Sequence, residues 1–423
     1  MSRRVQLTLS LFILLILTGC GTTLRQQWYD FTAYYNTFYN TRQLFLEGER
    51  ENRHSLPGLN PEQFIRIHPS PTGAGTVQFE RAIETGAELL RRHSRSGYVD
   101  RTLELIGASY FYRQEYFNAL ETFQDLYTYT SDSERKQKAS VWIARAHLEL
   151  GLHSEAFRIA EFEPDSGSSV EPEIEAEMVT LLAQHRIETG ELQLASELLS
   201  ESLPLLENSE LKTRGYFLLA QLLERLGDYN GSYLAFREVT EHRPGYELEY
   251  HSRMKEASLV RRVGNLDMAR QLFRSIERDD KYLDRRPDIL FEIARTETMR
   301  GETEGAIELY EQVLRPPGGP PSSVTRTKAY YELAEIYRVQ FRDLETAAAY
   351  YDSAAIQNPD SSLLPEDWDA NVRAVSFREF VTLRSEIEEL DTLLVLGSLP
   401  ENERDLILSE MDRDVEQAHI QEE

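Results

Sequence analysis

A small side chain returns about every 37 residues along most of the sequence, and this period limits the fold more strongly than any other feature. The positions are Gly107, Ala144, Ala183, Ala220, Ala257, Ala294 and Ala334, at spacings of 37, 39, 37, 37, 37 and 40. A second small residue follows each of them 12 or 13 positions later: Ala119, Ala156, Ala195, Ser232, Ala269, Ala306 and Ala347. Small residues allow two helices to cross closely, and a period of this length is typical of a solenoid. The sequence therefore predicts an all-α solenoid of seven helical hairpins.

The turns between the paired helices carry their own signal. Glycine stands between the two small positions in five repeats, at Gly151, Gly190, Gly227, Gly264 and Gly301. Glycine ends helices readily because it adopts the left-handed backbone conformation without strain. In the seventh repeat the two small positions lie 13 apart, and the extra residue is predicted to fall in the turn around Phe341.

The first complete repeat resembles the tetratricopeptide repeat (TPR). The matching positions are Leu103, Ile106, Gly107, Tyr110, Ala119 and Phe123, in the large, apolar, small, aromatic, small and aromatic order of that family. The resemblance implies a right-handed TPR superhelix, an α-solenoid, over residues 94–362. It also implies a protein that binds other proteins on the face lined by the first helix of each repeat.

Residues 20–93 predict an incomplete repeat before the seven. Arg25–Arg50 and Val77–His93 are predicted to be its helices, with a loop at 51–75 that is rich in proline and glycine. The first helix carries seven aromatic residues within twelve positions: Trp28, Tyr29, Phe31, Tyr34, Tyr35, Phe38 and Tyr39. They cover an arc of about 220°, wider than one amphipathic stripe. We expect this helix to be buried on more than one side as a cap of the solenoid; the alternative is an aromatic face that binds a partner.

The region after the repeats, residues 363–423, is predicted to form acidic C-terminal helices and a tail. Residues 366–395 and 401–419 have helical patterns on either side of Gly397 and Pro400. Residues 360–423 hold 18 acidic side chains, five arginines and no lysine, so they carry half of the net charge of −26. Solvation of a terminal helix explains such a run in the simplest way.

The only cysteine follows an export signal. After Ser2-Arg3-Arg4 comes an apolar run from Leu7 to Leu17, too short for the roughly 20 residues that span a bilayer, and then Leu17-Thr18-Gly19-Cys20. This arrangement resembles the bacterial lipoprotein signal, with residues 1–19 as the signal peptide. The resemblance implies lipid attachment at Cys20. Because Gly21 rather than aspartate follows, it also implies the periplasmic side of the outer membrane.

The repeat positions that line the first-helix face predict a partner-binding groove in repeats four to seven. Its predicted residues are Arg214, Phe217, Arg225, Met254, Arg261, Arg262, Phe291, Arg295, Lys328, Tyr331 and Arg338. Seven basic residues stand there against three acidic ones (Glu224, Asp288 and Glu335), so the groove carries +4 in an acidic chain. Such a groove fits an acidic peptide, either from a partner or from the chain's own C-terminal tail. The alternative is that these arginines pair with glutamates of neighbouring helices.

Motifs for catalysis are not found in the sequence. There is no HExxH or GxSxG motif, the glycines of residues 72–76 have no phosphate-loop lysine, and the nine histidines include no pair at metal-ligand spacing. His147 and His153 lie six apart, which places them on opposite faces of a helix. We predict no enzyme activity, cofactor, metal or small-molecule substrate, and the acidic charge argues against nucleic acid.

Segments near both ends resemble one group of TPR lipoproteins, those of gliding motility and type IX secretion. The segments are residues 29–40 (YDFTAYYNTFYN), residues 96–100 with 105–112 (SGYVD and LIGASYFY), and residues 390–394 with 399–404 (LDTLL and LPENER). The resemblance implies a non-catalytic outer-membrane scaffold in a secretion or gliding-like machine. The alternatives are an accessory lipoprotein of outer-membrane protein assembly and an adaptor that regulates cell-wall enzymes.

Overall fold

A computed structural model describes residues 26–160, 170–316, 321–357, 359, 364–365, 367–407, 409 and 413. All regular secondary structure in these residues is helical, which confirms the all-α solenoid class that the period predicts. Cys20, the predicted signal peptide at residues 1–19 and residues 414–423 lie outside the described residues. Within the described part of the chain, no helix has the length and apolar character needed to cross a membrane.

The helices before the third repeat are α1 (26–33), a π-helical turn at Tyr34–Phe38, α2 (Tyr39–His54), α3 (Thr76–Arg92), α4 (Val99–Tyr112), α5 (Tyr116–Tyr129), α6 (Ser133–Glu149) and α7 (His153–Ala160). Repeats three to five supply α8 (Pro172–Glu188), α9 (Leu192–Ser202), α10 (Ser209–Leu226), α11 (Tyr229–Glu241), α12 (Tyr246–Arg262) and α13 (Leu266–Glu277). The remaining elements are α14 (Arg286–Arg300), α15 (Thr303–Leu314), α16 (Ser323–Ile336), a π-helical turn at Tyr337–Phe341, α17 (Leu344–Ala355) and α18 (Ala370–Ser398). Short 3-10 turns lie at Leu203–Leu205 and Asp280–Arg285.

The chain divides into two compact units, and the division falls between Leu259 and Val260 inside α12. The first unit (unit 1) holds the described helices from α1 to α11 and most of α12. The second unit (unit 2) holds the last residues of α12 and the helices from α13 to α18.

The small residues lie where helices cross. All fourteen positions of the two series are buried. A methyl group added to Gly107 on α4 would lie 2.8 Å from the ring of Phe123 on α5. Gly227 and Gly301 end α10 and α14 with φ angles of 87° and 82°. The repeat pattern therefore predicted both the close crossings and these turns.

The extra residue of the seventh repeat is absorbed by helix winding. The last turn of α16 continues as the π-helical turn Tyr337–Phe341, and Arg342 then adopts a left-handed conformation with φ 55°. A π turn holds one more residue than an α turn, so α17 still meets α16 through Ala334 and Ala347. The position predicted for the insertion, around Phe341, is confirmed.

The aromatic N-terminal helix is only partly buried. Phe38 is buried and its ring lies 4.8 Å from that of Tyr98, while Tyr34 packs on the same ring at 5.3 Å. Trp28 and Phe31 stack on each other at 5.8 Å but remain more than half exposed. The helix is therefore buried at Ala33 and Phe38, whereas Trp28, Phe31 and Tyr39 on its outer side are 45% exposed or more.

The helix after the repeats packs through its first turns only. Ala374 is buried, and the ring of Phe377 lies 5.1 Å from that of Tyr351 on α17. From Phe380 onward, most apolar side chains of α18 are about half exposed or more, whereas Val381 and Leu396 are partly buried. Residues 401–407 form a further helical segment.

Candidate functional site

An irregular segment of the N-terminal region lies across the first helices of unit 1. This inner segment, residues 57–75, contacts α12 through Glu62, α10 through Ile65 and Ile67, α8 through His68 and α6 through Ser70. Its residue numbers fall as the helix numbers rise, so it runs opposite to the order of the repeats. The sequence indicated a loop over 51–75, but the period carried no signal for where that loop would lie.

Two side chains of α10 hold the backbone of the inner segment. The amide nitrogen of Gln221 donates hydrogen bonds to the carbonyl oxygens of Pro61 and Gln63, at 3.0 and 2.6 Å, and its oxygen accepts one from the backbone N–H of Ile65 at 3.0 Å. Arg214 donates to the carbonyl oxygen of Arg66 from Nε at 2.9 Å and from Nη2 at 2.6 Å. Gln221 is buried, so these bonds satisfy the polar atoms of a side-chain amide that is shielded from water.

The inner segment also contributes apolar side chains to the core of unit 1. Ile65 and Ile67 are buried in the same cluster as Phe217, Leu219 and Leu222. Burying one isoleucine side chain is worth about 1.5–3 kcal/mol. The first-helix face of unit 1 is therefore filled by the chain itself.

His68 anchors the inner segment between α6 and α8. Its Nε2 lies 3.0 Å from the hydroxyl of Thr180, and its Nδ1 lies 3.9 Å from a carboxylate oxygen of Glu177. Burial, together with the guanidinium groups of Arg145, Arg214 and Arg66, holds the pKa of His68 well below its ordinary value. The imidazole is consequently neutral at pH 7 and acts as a hydrogen-bonding group.

A cavity of about 380 Å³ opens beside His68 and Pro69. Its aromatic lining comes from Phe45, Tyr112 and Trp142, and its charged lining includes Glu104, Glu177, Lys138 and Arg145. The guanidinium of Arg145 lies 4.1 Å from the centre of the Trp142 ring. Burial raises the pKa of both Glu104 and Glu177. The lining of the cavity thus combines aromatic rings with side chains of both charges, and it shows no bias toward a ligand of one charge.

The predicted groove residues of unit 1 belong to this self-filled face. Phe217 is fully buried in the same core cluster as Ile65 and Ile67 of the inner segment, so it offers no surface to a partner. Arg214 is committed to the backbone of the segment. The guanidinium of Arg225 lies 5.9 Å from the ring of Phe64, and Met254 is partly buried. A partner groove made of these residues was therefore the wrong interpretation for Arg214 and Phe217.

In unit 2, the first-helix face is held by ion pairs. Arg261 is buried; its Nη2 lies 2.5 Å from a carboxylate oxygen of Glu292, and its Nη1 donates to the carbonyl oxygen of Glu292 at 3.1 Å. Arg295 lies 3.5 Å from Glu292 and 3.4 Å from Glu332. Burial alone would raise the pKa of Glu292, but the charges of Arg261 and Arg295 outweigh it and hold that pKa below its ordinary value. Glu292 thus brings two of the predicted arginines together.

The other predicted residues of unit 2 have varied surroundings. Phe291 is buried, with its ring 5.8 Å from that of Tyr310. Tyr331 donates to Asp369 at 2.7 Å, and Arg338 pairs with Glu335 at 2.6 Å. Arg262 is exposed and Lys328 is partly buried. The pairing of arginines with glutamates of neighbouring helices, which the sequence left open as an alternative, holds for Arg261 with Glu292 and for Arg295 with Glu332, whereas Arg338 pairs with Glu335 three residues before it.

Sequence reasoning missed the residues that neutralise this face. Glu292 and Glu332 each stand two positions before the small residue of their first helix, and Lys255, which binds the inner segment, has the same place in its repeat. Had that repeat position been counted, the excess of positive charge would have been smaller. The signal was therefore present in the period.

Comparison with known proteins supports the repeat assignment directly. Residues 213–246, which cover almost all of α10 together with α11, match the family model described as tetratricopeptide repeat. The chain therefore contains a TPR repeat. No curated protein matches the sequence.

Several solved structures resemble the chain in fold. The C-terminal part of a TPR repeat-containing protein from Cytophaga hutchinsonii is 14% identical, with 70% of this chain and 94% of that chain covered at a TM-score of 0.40. A tetratricopeptide repeat protein from Parabacteroides merdae is 14% identical, with 80% and 99% covered at a TM-score of 0.30. The human IFIT1 dimer with PPP-AAAA is 14% identical, with 74% and 70% covered at a TM-score of 0.34. TPR repeats are scaffolds for protein interaction, and the family match at residues 213–246 supports that coarse function for this chain.

Proposed function

We propose that the protein is a lipid-anchored, non-catalytic scaffold that binds acidic segments of partner proteins on the first-helix face of unit 2. The observation that carries the proposal is the unequal exposure of the charges there. The side chain of Arg295 is 42% exposed, whereas those of its partners Glu292 and Glu332 are 20% and 30% exposed. The arginine side chain that pairs with both carboxylates is thus more exposed to solvent than either of them. An approaching acidic segment has better access to this cation than to the two carboxylates.

Unit 1 supports the idea that this face of a repeat holds a peptide. Gln221 and Arg295 both follow the small residue of their first helix, and Arg214 and Lys328 both stand six positions before it. In unit 1 those positions bind the backbone of the inner segment. We assign the corresponding positions of unit 2 to a segment from a partner.

The tail of the chain provides a probe for this site. A fluorescent peptide of residues 401–423 is titrated with protein that ends at Pro400, and binding is followed by fluorescence anisotropy. We expect saturable binding that weakens as salt is added, since exposed charges are screened. Arg295→Glu should weaken it at least tenfold. The matched control is Arg237→Glu, an exposed arginine on the second helix α11.

Two further outcomes would bear on the site in unit 2 and on the role of the chain's own tail. Equal binding by Arg295→Glu and the parent protein would remove the site from unit 2. Weaker binding by the full chain than by the truncated chain would indicate that the tail competes for the same face.

Anchoring at Cys20 belongs to the same proposal. The signal-like residues 1–19 and the Leu17-Thr18-Gly19-Cys20 sequence support it. Cells that express the protein are labelled with radioactive palmitate and their outer membranes are separated. We expect label and protein in the outer-membrane fraction, and loss of both with Cys20→Ser. An unlabelled protein that remains with the membrane would contradict the anchor.

The machine that we propose is a type IX secretion or gliding-like apparatus. Two of the segments that resemble that group pack together: Asp30 accepts hydrogen bonds from the Ser96 hydroxyl at 3.0 Å and from the Gly97 N–H at 2.9 Å. Cross-linked partners recovered through the anchored protein provide the test. Secretion-ring or gliding components would support the proposal. Barrel-assembly proteins or cell-wall synthases would replace it with one of the alternatives.

A further inference from the structure

Three side chains with metal-ligand chemistry meet where α7 packs on α8. They are His153, the first residue of α7, and His185 and Glu188 near the end of α8. One ligand atom from each lies within 4.8 Å of the other two. His153 Nδ1 lies 3.0 Å from a carboxylate oxygen of Glu188, and the two imidazole rings stack with their centres 5.5 Å apart.

The fold creates this cluster, and the sequence does not display it. His185 and Glu188 are three residues apart and therefore share one side of α8. His153 reaches them from the start of α7, which is the second helix of the preceding hairpin. Sequence reasoning compared His153 with His147, which lies on α6, and so missed its partner on α8.

The set of donors selects the type of cation. Two imidazoles and one carboxylate are ligands that Zn²⁺ accepts, at about 2.0–2.1 Å for nitrogen and 2.0–2.2 Å for oxygen. Tetrahedral coordination at these lengths places ligand atoms about 3.3 Å apart. The 3.0 Å between His153 Nδ1 and the Glu188 carboxylate oxygen is close to that value, and all three ligand atoms lie within 4.8 Å of one another, so side-chain rotation alone has to bring them to one ion. Calcium and magnesium prefer ligand sets made of oxygen atoms.

We propose that His153, His185 and Glu188 form a Zn²⁺ site that joins the second and third repeats. Three protein ligands leave the fourth position for water or for a donor from a partner. The side chains of His153 and Glu188 are 39% and 35% exposed, so an ion reaches them from solvent. Because the ligands come from two helices, the bound ion favours the folded arrangement of α7 on α8 and raises the melting temperature.

The test uses the full chain, freed of metal and carrying Cys20→Ser so that the thiol does not bind zinc. Isothermal titration with ZnCl₂ should give one equivalent bound. His153→Ala, His185→Ala and Glu188→Gln should each weaken binding at least tenfold. The matched control is His147→Ala, which removes a histidine of α6 outside the cluster and should bind zinc like the parent.

A second measurement guards against misfolded variants. Circular dichroism and melting in EDTA should be alike for the parent and the variants, and only the parent and His147→Ala should gain melting temperature with zinc. Where a variant melts at a lower temperature than the parent, Glu188→Asp is used instead, because it keeps the carboxylate. The visible spectrum of Co²⁺ bound to Glu188→Asp should retain the bands of tetrahedral coordination. Failure of the parent to bind zinc, or unchanged binding in both His153→Ala and His185→Ala, would overturn the proposal.

Discussion

The first-helix faces of the two units use the same repeat positions in different ways. In unit 1 they carry Gln221 and Arg214, which bind the backbone of the inner segment, and the apolar side chains of that segment enter the core. In unit 2 they carry Arg295 and the neighbouring Arg261, which form ion pairs with Glu292. The first face is closed by the chain, and the second is held by charges that remain partly exposed.

This difference shows what a repeat position determines. The period fixes which side chains line the face, because they recur at the same distance from the small residue. The period leaves open what these side chains bind, because an amide or a guanidinium group donates hydrogen bonds to a backbone carbonyl as well as to a carboxylate. The function of a repeat face therefore depends on contacts from outside the repeat.

The largest effect is expected when the buried ion pair of unit 2 is broken. Arg261→Gln removes the nearer of the two arginines that pair with the largely buried carboxylate of Glu292. Loss of one partner of a buried ion pair costs about 3–5 kcal/mol, and we expect the lower end of that range because Arg295 remains 3.5 Å from the same carboxylate. Urea unfolding of the variant should show a free energy of unfolding lower by that amount. Arg262→Gln, at the adjacent exposed position, is the control and should change it by about 0.5 kcal/mol or less. Equal effects would show that the Arg261 pair is not buried in solution.

A matched pair of substitutions compares the two faces at one repeat position. Gln221→Leu strands two carbonyl groups and one N–H of the inner segment, at a cost of about 2–4 kcal/mol. Arg295→Leu removes ion pairs that are partly exposed, at a cost of about 1 kcal/mol or less. Urea unfolding of the two variants measures the difference. A smaller loss for Gln221→Leu than for Arg295→Leu would contradict the contrast between the faces.

A smaller effect is expected from the pH dependence of a carboxyl group in unit 1. Burial raises the pKa of Glu256 from the ordinary 4.5 to about 7, although Arg237 and Arg253 oppose the shift. Between these values the folded state holds a proton that the unfolded chain has released, so the free energy of unfolding falls as the pH rises from 4.5 to 7. Glu256→Gln should remove this fall, which is worth about 1–2 kcal/mol after allowance for partial exposure. Urea unfolding at pH 5 and pH 8 measures it.

The control for that measurement has the opposite sign. The pKa of Glu292 in unit 2 is held below its ordinary value, so its contribution to stability is present above the unfolded pKa and is lost as the pH falls through the folded one. Glu292→Gln should therefore flatten the acid side of the curve. The same direction of change in both variants would contradict the assigned environments.

Much of the fold was predictable from the sequence because its information is local and repeated. The small positions, the turn at Gly227 and the insertion near Phe341 all follow from spacing. The position of the inner segment on the first helices was not predictable, because Ile65 and Gln221 are 156 residues apart and the segment has no repeat period. The same applies to His153 and His185, which come together only when two hairpins pack.

The inner segment lies on the first helices of unit 1, and one ion pair tests this placement directly. Lys255 Nζ on α12 lies 3.1 Å from a carboxylate oxygen of Glu62 and 3.4 Å from one of Glu224. A carbodiimide joins an amine to a carboxylate only when the two are in contact, and mass spectrometry of the digested protein identifies the product. We predict a Lys255–Glu62 cross-link beside a Lys255–Glu224 cross-link, with the first lost in Glu62→Gln and reduced in Gln221→Leu. A Lys255–Glu224 product without any Lys255–Glu62 product in the parent protein would contradict the account.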